Sequence, residues 1–200
     1  MKLEDVFLYL VLEWRDESTP GLGECVRAAI GGGVDMIQLR WNGDTAGRPD
    51  ADAARAVRDV CREEDALLVV RDDADLAAAA GLDGVHLADA GTGLGMARAV
   101  VGPDKLIGVS SHSPDEATLA LELGPDYLLH HAGEACPAAL AGFRGLTAAP
   151  LFAAGLDGLD AARNVVEGGM KRLCIDGASI DRTNIQEEMA GYSRLLGRCI

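Results

Sequence analysis

Residues 106–129, LIGVSSHSPDEATLALELGPDYLL, hold one complete strand, helix and strand in 24 positions. The short apolar run Leu106 to Val109 reads as a buried strand, and Asp126 to Leu129 reads as the next. Between them Ser113 can cap a free backbone N–H, Pro114 takes the first helical position, and Glu116 completes a capping box. Gly124 then stops the helix. Two strands joined through a helix must run parallel, so this unit predicts a parallel sheet with helices outside it.

The same unit recurs in both directions along the chain. Apolar runs at Phe7 to Leu12, Asp35 to Leu39, Ala66 to Val70, Gly84 to Leu87, Ala149 to Ala153 and Arg172 to Ile175 bring the candidate strands to eight. Helical periodicity fills the intervals: Ala54, Val57, Val60 and Cys61 share one face, while Arg55, Arg58, Asp59 and Arg62 take the other. No Pro/Ser-rich linker or low-complexity tract interrupts the alternation. Eight βα units in 200 residues predict one α/β domain over residues 1–200, a (β/α)8 TIM barrel; a doubly wound open sheet is the alternative.

Composition narrows the function. With 32 acidic and 18 basic residues the formal net charge is −14, which leaves no diffuse positive field for a nucleic-acid backbone or an anionic membrane. Only Lys2, Lys105 and Lys171 are lysines, and none follows a strand, which argues against a Schiff-base mechanism at the C-terminal face. Five cysteines, Cys25, Cys61, Cys136, Cys174 and Cys199, form an odd set without a Cys-x-x-Cys pair. They read as reduced thiols, and with an apolar N-terminal run too short for a signal peptide they predict a cytoplasmic protein. Gly91-Thr92-Gly93-Leu94-Gly95 has the wrong spacing and follows the wrong strand for a dinucleotide loop.

In a (β/α)8 barrel the chemistry sits where strands end. Those positions hold Glu13 and Arg15; Arg40 and Asn42; Arg71 and Asp72; His86 and Asp89; Ser110, Ser111 and His112; His130 and His131; Gly155; and Asp176 and Gly177. All four histidines fall on this face. A bland reading stands beside each functional one: Arg40 could pair with a strand-end carboxylate, Arg71 and Asp72 could bridge to neighbours, and His86 could be a hydrogen-bonded core residue. A metal site built from Asp72, Asp89, His112 and the two later histidines lacks any tight helical spacing to support it.

In collinear order these stretches resemble the thiamine phosphate synthase/TenI family of TIM barrels. Leu8-Tyr9-Leu10-Val11 is similar to its first strand. Gly32-Gly33-Val34-Asp35-Met36-Ile37-Gln38-Leu39-Arg40 is similar to its second, which reads Gln-Leu-Arg-x-Lys. Leu68 to Ala77, Asp83-Gly84-Val85-His86-Leu87, Gly102-Pro103-Asp104, Ile107-Gly108-Val109-Ser110-x-His112-Ser113 and Asp126-Tyr127 resemble the third to sixth strands with their lead-ins. The resemblance implies the joining of a pyrimidine that carries a diphosphate to a thiazole phosphate, with Mg2+ assisting departure of diphosphate. It implies Asp72 as the magnesium carboxylate, with Asp89 beside it, and Gln38, Arg40, Arg71, Ser110 and Gly155 as contacts to a small phosphate ligand. A TenI branch lacks the diphosphate machinery and includes isomerases that use a histidine as acid/base. There the resemblance implies His130 or His131. A non-catalytic binder of a thiamin-related phosphate is a third reading, and a homo-oligomer stays open.

Several positions depart from the family pattern. The lysine two residues after Arg40 is Asn42, and the asparagine before Asp72 is Arg71. Gly91 stands where the second magnesium carboxylate belongs, which weakens the metal site. The sixth loop, His130 to Cys136, has no Thr and no Lys for a diphosphate clamp, the Gly-Gly after the seventh strand is Gly155-Leu156, and Asp176-Gly177 puts a carboxylate where the thiazole phosphate is received. These departures predict weak or redirected activity.

Overall fold

In the computed structural model, residues 1–14, 21–41, 47–89, 93–131 and 149–199 are described. Eight parallel strands close into a barrel in sequence order. They are β1 (Leu8–Glu13), β2 (Met36–Arg40), β3 (Leu67–Arg71), β4 (Gly84–Leu87), β5 (Leu106–Ser111), β6 (Tyr127–His131), β7 (Leu151–Ala154) and β8 (Leu173–Asp176). Around them lie α1 (Leu22–Gly31), α2 (Ala51–Glu63), α3 (Ala74–Ala80), α4 (Leu94–Val101), α5 (Pro114–Glu122), α6 (Gly158–Glu167) and α7 (Ile185–Leu195). The expected TIM barrel is therefore the fold, and the open-sheet alternative is set aside because β8 pairs with β1 in register, Tyr9 beside Cys174.

The helix that closes the 106–129 unit forms for the expected reasons. Ser113 Oγ accepts from the Glu116 N–H at 3.2 Å. The Glu116 carboxylate returns to the His112 N–H at 2.7 Å, one residue earlier than a standard capping box. Asp50 caps α2 by accepting from the Ala53 N–H at 2.7 Å.

Strand alternation divides the apolar side chains into two cores. Leu8, Leu10, Leu12, Ile37, Leu68 and Val70 face the helices, and Tyr9, Met36, Val69, Tyr127, Phe152 and Cys174 fill the barrel. Gly108 of β5 makes room for this filling, since a Cβ there would lie 2.0 Å from Cζ of Tyr127. A side chain at that position would displace the ring.

The N-terminal rim is held by three aspartates placed just ahead of even-numbered strands. Asp35 accepts from the Phe7 and Leu8 N–H groups at 2.9 Å each, Asp83 from Leu68 at 2.9 Å, and Asp126 from Ile107 at 2.7 Å. Each carboxylate satisfies backbone donors at the start of the preceding strand that the ladder leaves open. Asp35 is itself buried and takes a two-pronged pair from Arg198 at 2.7 and 2.8 Å. Lys105 and Lys171 lie on this rim, away from the mouth.

Cys25, Cys61 and Cys174 are buried and unpaired, and Cys199 is exposed. Cys136 lies outside the described residues. No helix among the described residues is long and apolar enough to cross a membrane.

Candidate active site at the barrel mouth

In five strands the inward set ends in a polar residue at the C-terminal rim. Counting in twos from the core gives Arg40 after Met36 and Gln38, Arg71 after Val69, Ser110 after Gly108, His131 after Tyr127 and Leu129, and Asp176 after Cys174. One mouth therefore gathers Arg40, Arg71, Asp72, Ser110 and His131, with Gln38 one step below Arg40. Gly155, just past β7, turns the chain away with a φ of 71°. Arg15, Asn42 and Gly91 lie outside the described residues, as does the sixth loop from residue 132 on.

Arg40 does not stand free. Its guanidinium donates to both carboxylate oxygens of Asp176, Nη1 to Oδ2 at 2.9 Å and Nη2 to Oδ1 at 3.0 Å, bridging the ends of β2 and β8. Its Nε is buried without a hydrogen-bond partner. Burial alone would raise the Asp176 carboxyl, but the Arg40 hydrogen bonds, the Ala178 N–H at 3.0 Å and the nearby Arg71 charge together hold it below the usual range. The bland reading of Arg40, a pair with a strand-end carboxylate, matches this contact.

Asp72 occupies a turn with φ of 52°, a left-handed conformation uncommon for a residue with a side chain. Two hydrogen bonds hold it there: its N–H donates to the His86 carbonyl at 2.9 Å, and its Oδ1 accepts from the Ala88 N–H at 2.7 Å. Its Oδ2 meets Arg71 Nε at 3.2 Å. The turn thus presents a half-exposed carboxylate beside an arginine, and the Ala88 contact draws the start of the following loop, with exposed Asp89, toward it. Among the described residues no three His, Cys, Asp or Glu side chains gather as a metal cage. The donor set suits a hard cation held by one or two carboxylates and completed by ligand phosphate oxygens and water.

The paired histidines are separated by strand alternation. His130 turns toward the helix layer, is buried, and its Nδ1 lies 3.0 Å from Ser111 Oγ. His131 faces the mouth and stacks on His112, with ring centroids 4.5 Å apart and planes at 15°. Burial lowers both, and His112 lowers both further; Arg71 adds to the effect on His131. His131 is therefore a neutral imidazole near pH 7, while His130, one residue away, is aimed elsewhere. All four histidines stand at the strand ends of one barrel face, and alternation divides their side chains. His86 matches its reading as a hydrogen-bonded core residue, lying inside the barrel below the rim with Nε2 2.9 Å from Ser110 Oγ and Nδ1 3.2 Å from Tyr127 Oη.

Gln38 is likewise buried beneath the rim, where its Oε1 accepts from Tyr9 Oη at 2.6 Å. Tyr9 and Tyr127 were not singled out in the sequence. The available signal was their inward parity in apolar strands, since a buried phenol requires a polar partner.

The family described as thiamine monophosphate synthase matches residues 8–175, most of the chain. The chain belongs to this family. Among curated relatives, a thiamine-phosphate synthase of Mycobacterium avium (strain 104) is 37% identical over 191 residues, covering 84% of this chain and 83% of the relative. One from Azorhizobium caulinodans is 42% identical over 125 residues, 62% of this chain and 58% of the relative. A solved thiamine phosphate pyrophosphorylase of Pyrococcus furiosus superposes with a TM-score of 0.78 at 27% identity, covering 96% of each chain. The tryptophan synthase of Mycobacterium tuberculosis, at 14% identity and a TM-score of 0.72, shares the fold alone. The chain is thus a thiamine-phosphate-synthase-like barrel whose mouth carries Arg40, Arg71 and Asp72.

Proposed function

We propose that this mouth joins a pyrimidine carrying a diphosphate to a thiazole phosphate, releasing diphosphate and forming thiamin phosphate. The observation that carries the reading is the convergence of Arg40, Arg71 and Asp72 on one rim, with Gln38 just beneath it, in a member of this family. The bond from the pyrimidine methylene carbon to the diphosphate oxygen breaks, and a bond from that carbon to the thiazole nitrogen forms.

Arg71 and Arg40 take the diphosphate oxygens, Arg40 by exchanging Asp176 for phosphate, and Gln38 contacts the pyrimidine. Asp72, with Asp89 nearby, would hold Mg2+ against the diphosphate, where the ion supplies charge neutralisation for the leaving group. The β7 end with Gly155 borders the space left for the thiazole phosphate. Three buried unpaired thiols suit a reducing compartment, so a cytoplasmic location belongs to the same reading.

Turnover is expected to be slow, below about 1 per second. The Arg40–Asp176 pair must open for phosphate to enter, and the sixth loop carries neither the Thr nor the Lys of the family clamp. Incubation with both substrates and Mg2+ tests the reading: slow product formation supports it, absence of product overturns it, and rates of ~1 to 10³ per second overturn the impairment.

The position of His131 favours a second reading, a TenI-like isomerase in which this neutral imidazole moves a proton on a thiazole phosphate. Conversion of thiazole phosphate that survives His131→Gln unchanged would remove it.

A further inference from the structure

Among the described residues six large hydrophobic side chains are exposed, and four of them belong to two neighbouring helices of the barrel wall. They are Met96 and Val100 on α4, Leu119 on α5, and Leu123 just past its end. Single exposed apolar residues need no explanation, but a cluster of them does. The solvent face of α4 consists of Gly95, Met96, Ala99 and Val100, without one charge, in a chain whose formal net charge is −14. Arg98, the one charged residue of α4, is drawn back to the Asp126 carboxylate at 2.6 Å and the Gly102 carbonyl at 3.1 Å. On the opposite flank of α4 from α5, α3 exposes Ala78 and Ala79.

The glycine in this face has no packing reason within one chain. A Cβ at Gly95 would meet nothing within 4 Å, and glycine is disfavoured inside a helix. Spacing of four puts Gly95 and Ala99 in one row along α4 and Met96 and Val100 in the row beside it. A small row next to a bulky row is self-complementary. A twofold axis parallel to α4 sets the Met96 and Val100 row of each copy on the Gly95 and Ala99 row of the other. The same axis carries Leu119 and Leu123 of each copy toward Ala78 and Ala79 of the other.

We infer that the face formed by α3, α4 and α5 docks a second copy of this chain, with the twofold axis alongside α4 and both mouths opening at the same end. The four large side chains leave roughly 400 Å² of apolar surface in water, the size of the largest patch on a typical monomer. Pairing two such faces withdraws about 800 Å², close to the apolar share of a standard interface of ~1,600 Å². Exposed Asp75, Asp104, Asp115 and Glu122 flank the face, so charge opposes the contact and apolar burial drives it.

Sedimentation equilibrium on the full chain at ~1 to 100 µM tests this. The unaltered protein should reach twice the mass of one chain, with a Kd of about 1–10 µM. That Kd should fall as NaCl rises from ~0.05 to 0.5 M, because salt screens the acidic flanks. Met96→Glu, which buries two charges at the twofold contact, should raise Kd at least ~10²-fold. Gly95→Gln has open space in the single chain, so it should keep the circular dichroism spectrum of the fold while raising Kd at least ~10-fold. A monomer at 100 µM overturns the inference. So does a dimer that salt weakens, or one whose Kd neither substitution moves by more than about threefold, since its contact then lies elsewhere. Should Met96→Glu not fold, Gly95→Gln decides alone.

Discussion

Replacing Asp176 by Asn should tighten the binding of phosphate and diphosphate at the mouth. The carboxylate makes both hydrogen bonds to Arg40 and also accepts the Ala178 N–H that starts the short turn after β8. An amide in its place keeps an oxygen for Ala178 and for one Arg40 N–H, so the turn is retained while the negative charge goes. An incoming phosphate no longer meets a carboxylate at roughly 5 Å, which at an effective dielectric of about 40 to 60 is worth about 1–2 kcal/mol per phosphate charge. The Asp176 side chain is 51% exposed, so solvent and salt screen part of this, and a net gain of ~1–2 kcal/mol, about 5- to 30-fold in Kd, is expected. Calorimetric titration with inorganic diphosphate at low and high salt measures it, and the gain should shrink as salt rises. In the unaltered protein without a competing anion the same pair should open only in acid. The Asp176 carboxyl titrates below its ordinary value in the folded state, so its contribution to stability is full above the unfolded value of about 3.9 and is lost as pH falls through the lower folded value. Unchanged or weaker diphosphate binding by Asp176→Asn would refute the claim that this carboxylate competes for Arg40.

Other residues carry separable expectations. Gly108→Ala should destabilise the barrel by about 1–3 kcal/mol, because the new methyl group collides with the Tyr127 ring; urea denaturation measures this, and a neutral result would mean the ring moves freely. Asp35→Ala should cost ~2–4 kcal/mol, since it strips two strand N–H groups and Arg198 of a buried acceptor, and a loss under ~1 kcal/mol in the same assay would contradict the rim account. Asp72→Asn should leave stability within about 1 kcal/mol, because Asn tolerates a φ of 52° and still accepts from Ala88, while Mg2+-dependent turnover falls at least ~10²-fold. Full turnover by that variant would remove Asp72 from the metal.

The eight strands were legible because each is a short apolar run bounded by turn residues, and in a sheet buried on both faces that signal is strong. Their ends were less so. Arg40, Arg71, His131 and Asp176 extend the strands past the last apolar residue, since ladder pairing at the mouth continues into polar sequence. Carrying the period of two into those ends would have separated His130 from His131 and grouped His131 with Tyr127. The Arg40–Asp176 pair joins residues 136 apart, and only barrel closure through β1 brings them together. The contacts among Gln38, Tyr9, Tyr127, His86 and Ser110 were hidden for the same reason, since they join five different strands and no local pattern marks them. The aspartates ahead of β2, β4 and β6 sat inside or beside the apolar runs, where a rim clamp and an ordinary strand-flanking acid look alike.

The most direct test is a rapid-quench measurement of thiamin phosphate formed from the pyrimidine diphosphate and the thiazole phosphate with Mg2+, using the unaltered protein and Asp176→Asn side by side. One product per pair of substrates, formed slowly by the first and faster by the second at limiting diphosphate substrate, is the predicted result. No product from either protein would contradict the assignment of this mouth to the coupling reaction.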